Sequence, residues 1–351
     1  MLVQLLKAQH GDAIVIKTNS DGHDFIIVVD GGPRGVAEDI ADYYQELGKI
    51  DLMVLTHFDE DHISGLISYF RRLKDGQIPV THFWGNCAQG IDFQQDTTAS
   101  DASMRNANTL ASFLRAQGKK DASFEWREDI CVPFGCYERD LEIDVLAPSR
   151  KVLDQLKAEY EEYLKSHPMT DETEETTQIA SVRVKRDEKM TIDELAATDE
   201  PRRLNLLNRS SIAFLLTAEG KRVLMLGDAD ADIVADNLEC MYRDILPLDV
   251  DLVKVAHHGS LNNVSKRLLS LIRCNKFAIS TNGGTSRSYH PDRKTLALIL
   301  RYANRKSEEP ITFYFNYPLA KIEERTGNLL KCEELDMEKC IINDNQVNII
   351  L

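Results

Sequence analysis

Thr56-His57-Phe58-Asp59-Glu60-Asp61-His62-Ile63-Ser64-Gly65 puts two histidines and two aspartates within the six residues from His57 to His62. The apolar run Asp51 to Thr56 before it reads as a buried strand, and Ile63 to Leu73 after it reads as a helix. The polar cluster therefore falls on the tight loop where a strand ends and a helix begins. Histidine offers a neutral nitrogen and aspartate an anionic oxygen, a mixture suited to zinc or manganese. A single aspartate there would be an ordinary helix cap. Two of each, packed together, exceed what capping needs.

Three further motifs repeat this placement. Leu224-Met225-Leu226-Gly227-Asp228 is a strand closing on Gly-Asp, whose two carboxylate oxygens can bridge two ions. Val253-Lys254-Val255-Ala256-His257-His258-Gly259-Ser260 is another strand that delivers polar residues at its C-terminal end. In Ser288-Tyr289-His290-Pro291 the proline restrains the backbone beside an imidazole. Five of the nine histidines lie in these motifs, and their joint placement is far more specific than any one of them.

The flanking chain alternates strands with helices. Ala13–Ile16 and Phe25–Val29 are β-branched runs around the turn-rich Asn19-Ser20-Asp21-Gly22 and predict a hairpin, followed by a helix over 36–48. After residue 208 the alternation returns: strands at 212–217 and 222–226, a helix at 232–242, a strand at 252–256, a helix at 265–273 and a strand at 277–280. Ile311–Tyr317 and Cys340–Leu351 read as added strands. Residues 1–149 and 207–351 are taken as two halves of one domain. Residues 150–206, with a helix over 152–164 and then a polar, acid-rich stretch, are taken as an insertion outside the core.

A hydrophobic content of 43% and a charged content of 28% are those of a soluble globular protein. The first residues lack the pattern of a secretory signal, and no apolar run approaches the roughly 20 residues that cross a bilayer. The expected location is the cytoplasm, with no membrane association. Seven cysteines, with no Cys-x-x-Cys pair, make neither a disulfide framework nor a structural zinc site. The net charge of −15 opposes long-range attraction of nucleic acid, so such a substrate would be held by a local basic groove or by metal ions.

The motifs together resemble the metallo-β-lactamase superfamily, and within it the hydrolase domain of ComEC-like bacterial competence proteins. In that branch the superfamily's His-x-His-x-Asp-His signature has aspartate second, as in His57-x-Asp59-x-Asp61-His62. The likeness extends to His10-Gly11-Asp12-Ala13, Val29-Asp30-Gly31-Gly32, Asn208-x-Ser210-Ser211, Gly227-Asp228 and His257-His258-Gly259-Ser260. It implies an αββα sandwich: two mixed β-sheets packed face to face, helices outside, and one or two divalent ions, manganese or zinc, at one edge.

The implied ligands are His57, Asp59, Asp61, His62, Asp228, His257 and His258, with Asp30 orienting a ligand from behind. Which of His257 and His258 ligates stays open. Asp61, His258, His290 and Asn208 are the implied catalytic residues, the last two toward a phosphate or leaving group. Two departures stand out. Asn208 occupies the region of the usual third histidine, and Asp59 replaces another, so the first ion is short of nitrogen and manganese is favoured.

The implied reaction is metal-assisted hydrolysis of a phosphodiester in DNA, RNA or a nucleotide. Hydrolysis of a peptide or ester is the alternative reaction. A non-catalytic subunit in a multi-protein assembly of the anti-phage type, with a protein partner, is the alternative role. Trp84 and Trp126 read as core, His10 as the edge of the site, and His23, His82 and His167 as structural.

Overall fold

The computed structural model describes residues 1–351 except 74–78, 87–101, 121–122, 139, 167–186, 199–201, 203, 286–287 and 307. Cys87, His167 and the acid-rich 171–175 lie outside the described residues. The first strands are β1 (Leu2–Leu5), β2 (Ile14–Ser20), β3 (His23–Val29), β4 (Ile50–Val54), β5 (Val80–Trp84) and β6 (Glu125–Arg127). There follow β7 (Gly135–Glu138), β8 (Leu141–Ala147), β9 (Ala213–Ala218), β10 (Lys221–Met225), β11 (Leu248–Asp249) and β12 (Leu252–Lys254). The last are β13 (Ile272–Arg273), β14 (Lys276–Ile279), β15 (Ile311–Phe315), β16 (Cys340–Asn343) and β17 (Asn348–Ile350).

One sheet has the order β17-β1-β2-β3-β4-β5-β6 and the other β16-β15-β14-β12-β10-β9-β8-β7. Both are mixed. In the first, β2 and β3 form the expected antiparallel hairpin while β3, β4 and β5 run parallel. In the second, β10, β12 and β14 run parallel.

Alternate side chains on each strand enter different apolar layers, because successive residues point to opposite faces. Leu52 and Val54 of β4 meet Phe214, Leu216, Val223 and Met225 of the other sheet in a core between the sheets. Met53 and Val28 face outward onto Ile40, Tyr44, Ile63 and Leu66 of the helices Ala37–Glu46 and Glu60–Arg72. Leu215, Leu224, Val253 and Phe277 face outward on the far side, onto Leu238, Leu268 and Leu296. Three apolar layers separate four structural layers: helices, sheet, sheet, helices.

The structure departs from the sequence reading in three places. Residues 340–351 are two strands, not one: β16 extends the second sheet beside β15, and β17 pairs with β1 in the first. Residues 135–147 supply β7 and β8 to the second sheet, so the first 149 residues contribute to both sheets. The 150–206 segment also enters the core. Its helix Arg150–Ser166 buries Val152, Leu153 and Leu156, and its helix Ile192–Ala197 puts Ile192, Leu195 and Ala196 into the outer layer of the second sheet. Ile192, Leu195 and Ala196 form an i, i+3, i+4 stripe, short enough to be hidden in an acid-rich surrounding. Among the described residues no helix is long and apolar enough to cross a membrane.

Candidate metal centre

Parallel strands present their C-terminal ends together. Asp30 follows β3, His57 follows β4, Asp228 follows β10 and the His257-His258 pair follows β12. Backbone bonds stitch these ends to one another. The Ile212 amide donates to the Thr56 carbonyl at 2.9 Å, and the His257 amide donates to the Gly227 carbonyl at 2.9 Å. The start of the helix Glu60–Arg72 lies backbone-to-backbone on the Asp30-Gly31 loop: Gly31 donates to His62 and Gly65 donates to Gly31. A Cβ on Gly65 would sit 2.1 Å from the Gly31 oxygen. Asp59 precedes that helix but its side chain makes no cap hydrogen bond; Asp59 Oδ2 lies 3.4 Å from His57 Nε2 instead.

Asp228 Oδ2 is the hub. His57 Nε2 lies 3.8 Å from it, His62 Nε2 3.7 Å and His257 Nε2 3.5 Å. On the far side of His62, its Nε2 lies 3.9 Å from Asp61 Oδ1, and His258 Nε2 lies 3.5 Å from Asp61 Oδ2. Two trios, His57-His62-Asp228 and Asp61-His62-His258, each present three donor atoms within 4.8 Å of one another. A third, Asp12-Asp30-His62, lies behind the second histidine.

Hydrogen bonds on the rear nitrogens determine what the front nitrogens offer. His62 Nδ1 is 2.8 Å from Asp30 Oδ2, a carboxylate that only accepts, so Nδ1 carries the proton. His258 Nδ1 donates to the Ser280 carbonyl at 2.9 Å. The Thr56 hydroxyl donates to Asp30, so its oxygen accepts from His57 Nδ1 at 3.1 Å. In their neutral forms all three rings therefore turn a bare Nε2 lone pair toward the cluster. These three Nε2 atoms, with Asp228 Oδ1, are buried and make no hydrogen bond. Buried polar atoms left unpaired are costly. A divalent cation accepts lone pairs from such atoms together, and the donor set fits one.

The same crowding shifts the titration of the cluster. Burial works to raise the Asp228 carboxyl, but the imidazoles of His257, His62 and His57 outweigh it and hold it below the ordinary range. Asp61 is likewise held well below that range against burial, by His62 and His258. Burial lowers His62, yet Asp228, Asp61 and Asp30 raise it well above the ordinary imidazole value. His57 and His258 rise for the same reason, through Asp59 with Asp228 and through Asp12 with Asp61.

The remaining sequence candidates take different places. Asn208 is buried with its amide nitrogen 3.3 Å from His257 Nδ1. His290 stands one step out: its ring is 5.3 Å from that of His257, and its Nε2 is 2.7 Å from the Ser288 hydroxyl. His10 is lowered by burial and feels Asp61 and His258, which puts it at the rim. Trp84 is buried between the sheets against Phe134, and His82 pairs with Glu125 at the outer end of the first sheet.

Sequence reading passed over Thr56, Ser280, Asn263 and the buried ion pair of Lys254 with Asp12. Lys254 Nζ donates to Asp12 Oδ2 at 2.7 Å, and Asp12 Oδ1 lies 3.6 Å from His258 Nδ1. The buried lysine in β12 was the available signal, since a charge in an apolar run needs a partner.

A family model described as the metallo-beta-lactamase superfamily matches residues 7–120, the stretch holding Asp12, Asp30 and the His57–His62 loop. No curated protein matches the chain in sequence. Among solved structures it is similar to the metallo-beta-lactamase fold protein YhfI from Bacillus subtilis, at 9% identity over 99% of this chain and 98% of that one, with a TM-score of 0.41. It is similar to Zn(2+)-bound PqqB from Methylobacterium extorquens, at 10% identity over 100% of both chains, with a TM-score of 0.44. A diphosphatase from the PhnP family is 9% identical over 97% of this chain and 84% of that one, with a TM-score of 0.41.

Proposed function

We propose that this metallo-beta-lactamase superfamily domain is a metal-dependent hydrolase of phosphodiester bonds, and that the substrate is a nucleic acid or a nucleotide. The observation that carries the hydrolase reading is the set of buried, unpaired Nε2 and carboxylate atoms converging on Asp228. A divalent ion there supplies Lewis-acid chemistry, making water more acidic and offsetting charge on a reacting oxygen. His62 is common to the two trios, and Asp228, facing His57, His62 and His257, would share in holding an ion. Asp30 and the Ser280 carbonyl hold the rings of His62 and His258 in the orientation they need. Asn208 and His290, beside His257, are the residues we assign to a substrate oxygen.

The phosphodiester assignment is supported by the ComEC-like pattern of the motifs. A chain of net charge −15 meets a phosphate favourably only where cations offset its own field. We assign manganese as the working ion, because Asp59 puts an oxygen where the superfamily signature has a nitrogen.

The test strips the protein with chelator, restores manganese or zinc separately, and compares initial rates on single- and double-stranded nucleic acid and on a simple phosphodiester. We expect hydrolysis with manganese, less with zinc, and a loss of about 10²-fold or more in Asp61→Ala. Equal or faster turnover with zinc overturns the manganese assignment. No hydrolysis with either ion, alongside turnover of an ester or peptide, overturns the phosphodiester assignment.

A further inference from the structure

The His257-His258-Gly259 turn is strained in a particular way. His257 (φ 47, ψ 54) and His258 (φ 53, ψ 19) both adopt the left-handed region, and Gly259 follows at φ 88. Side chains beyond glycine rarely occupy that region, and each such residue costs on the order of 1–3 kcal/mol. In a continuing strand, adjacent side chains would point to opposite faces. Here both turn the same way. The ring centroids are 5.7 Å apart, with His258 Nε2 3.5 Å from Asp61 Oδ2 and His257 Nε2 3.5 Å from Asp228 Oδ2.

Asn263 decides what His257 presents. Its side chain is fully buried, and its amide nitrogen donates to the Asp228 carbonyl at 2.6 Å and approaches the Ala229 carbonyl at 3.3 Å. Those two acceptors leave its oxygen facing His257 Nδ1 at 2.8 Å. That oxygen is nearer than the Asn208 amide nitrogen at 3.3 Å, and an amide oxygen only accepts, so Nδ1 carries the proton and the neutral ring has its lone pair on Nε2. This is the arrangement that Asp30 imposes on His62 and Ser280 imposes on His258.

The spacings match one another as well. Two donors on a tetrahedral ion, each about 2.0–2.2 Å from it, are separated by about 3.3–3.6 Å. His57 to Asp59 measures 3.4 Å and His257 to Asp228 3.5 Å on one side, and His258 to Asp61 3.5 Å on the other.

We infer that His257 and His258 serve different ions: His258 joins Asp61 and His62, while His257, positioned by Asn263, joins His57 and Asp59, with Asp228 common to both. His257 thereby supplies the nitrogen that the asparagine at 208 does not. Each ion then meets two imidazoles and two carboxylates. The inference rests on the reading of this cluster as a metal centre.

The experiment measures manganese bound per chain and its affinity by equilibrium dialysis. It also follows the spin-coupled signal of neighbouring manganese ions by electron paramagnetic resonance. Wild type is expected to bind two coupled ions. His257→Gly suits the left-handed backbone, so folding is preserved; it should bind one ion normally, lose the coupled signal, and regain both features when free imidazole is added. Asn263→Ser should weaken one ion by about 10–100-fold and leave the other unchanged. Two coupled ions of unchanged affinity in His257→Gly overturn the inference. So does a wild type with one ion that the substitution does not affect. A wild type that binds no manganese or zinc instead overturns the metal-centre reading itself.

Discussion

Asp30 shows how much one side chain does behind a site without facing it. Its carboxylate accepts from the Thr56 amide at 2.7 Å and the Thr56 hydroxyl at 2.8 Å, and fixes His62 Nδ1 at 2.8 Å. An amide at this position can accept at one atom only and turns an N–H toward a donor at the other. Asp30→Asn should therefore weaken metal binding by about 10–100-fold and destabilise the metal-free protein by about 1–3 kcal/mol. Metal-binding calorimetry and urea unfolding after chelation read the two effects separately. Affinity within twofold of wild type would show that His62 needs no such support. In the sequence, Asp30 was legible through the resemblance carried by Val29-Asp30-Gly31-Gly32, which implies its place behind a ligand. The histidines and aspartates of the His57–His62 loop were legible because their type and spacing are themselves the chemistry. Asn263, Thr56 and Ser280 were not, since a buried asparagine or serine reads like any loop residue until its partners are known.

At the scale of the element, the helix Glu60–Arg72 carries Asp61 and His62, and its height over the first sheet sets the geometry of both. Gly65 sets that height. An added Cβ would meet the Gly31 oxygen at 2.1 Å, and backbone cannot move aside as a flexible side chain can. Gly65→Ala should lift the helix from the Asp30-Gly31 loop, costing about 1–3 kcal/mol or more and displacing His62. Gly118 in the helix Ala102–Lys120 is the control: its nearest neighbour would be Phe124 at 4.0 Å, so Gly118→Ala should stabilise by about 0.5–1 kcal/mol. Urea midpoints of the two variants check the contrast, and similar midpoints would refute it. Most strands and helices around the motifs were legible from apolar periodicity. The short helix Ile192–Ala197 was not, because its stripe is a single turn long and its value lies in the layer it enters.

For the whole molecule, the cluster joins the ends of strands from both sheets, so an ion there cross-links the two halves of the sandwich. Removing it should lower Tm by roughly 5 °C when the metal had been supplied well above its dissociation constant. The effect depends on pH in a definite direction. His57, His62 and His258 are raised, so in the metal-free protein their pairing with carboxylates is fully present below 6.5 and is lost as pH rises through the raised values. Asp61 and Asp228 are lowered, so their contribution is present above 3.8 and is lost as pH falls through the depressed values. The metal-free protein is thus best served between about pH 4 and pH 6.5, whereas metal binding must expel protons and strengthens above that window. Thermal unfolding with manganese and with chelator, from about pH 6 to about pH 8, should show a widening gap. A constant gap would mean that the raised imidazoles are not the ligands.

The sequence by itself determined the ligand-rich loop, the strand that leads into it, and the alternation that makes two sheets with helices outside. These are local properties: side-chain type, spacing and apolar period act within a few residues. Only the tertiary structure decided that 340–351 divides between two sheets and that both His257 and His258 turn toward the same cluster. Those outcomes depend on which strand ends meet and on two left-handed residues, which the packing of β12 against β10 and β14 holds in place. No pattern along the chain encodes a backbone conformation that its own residues disfavour.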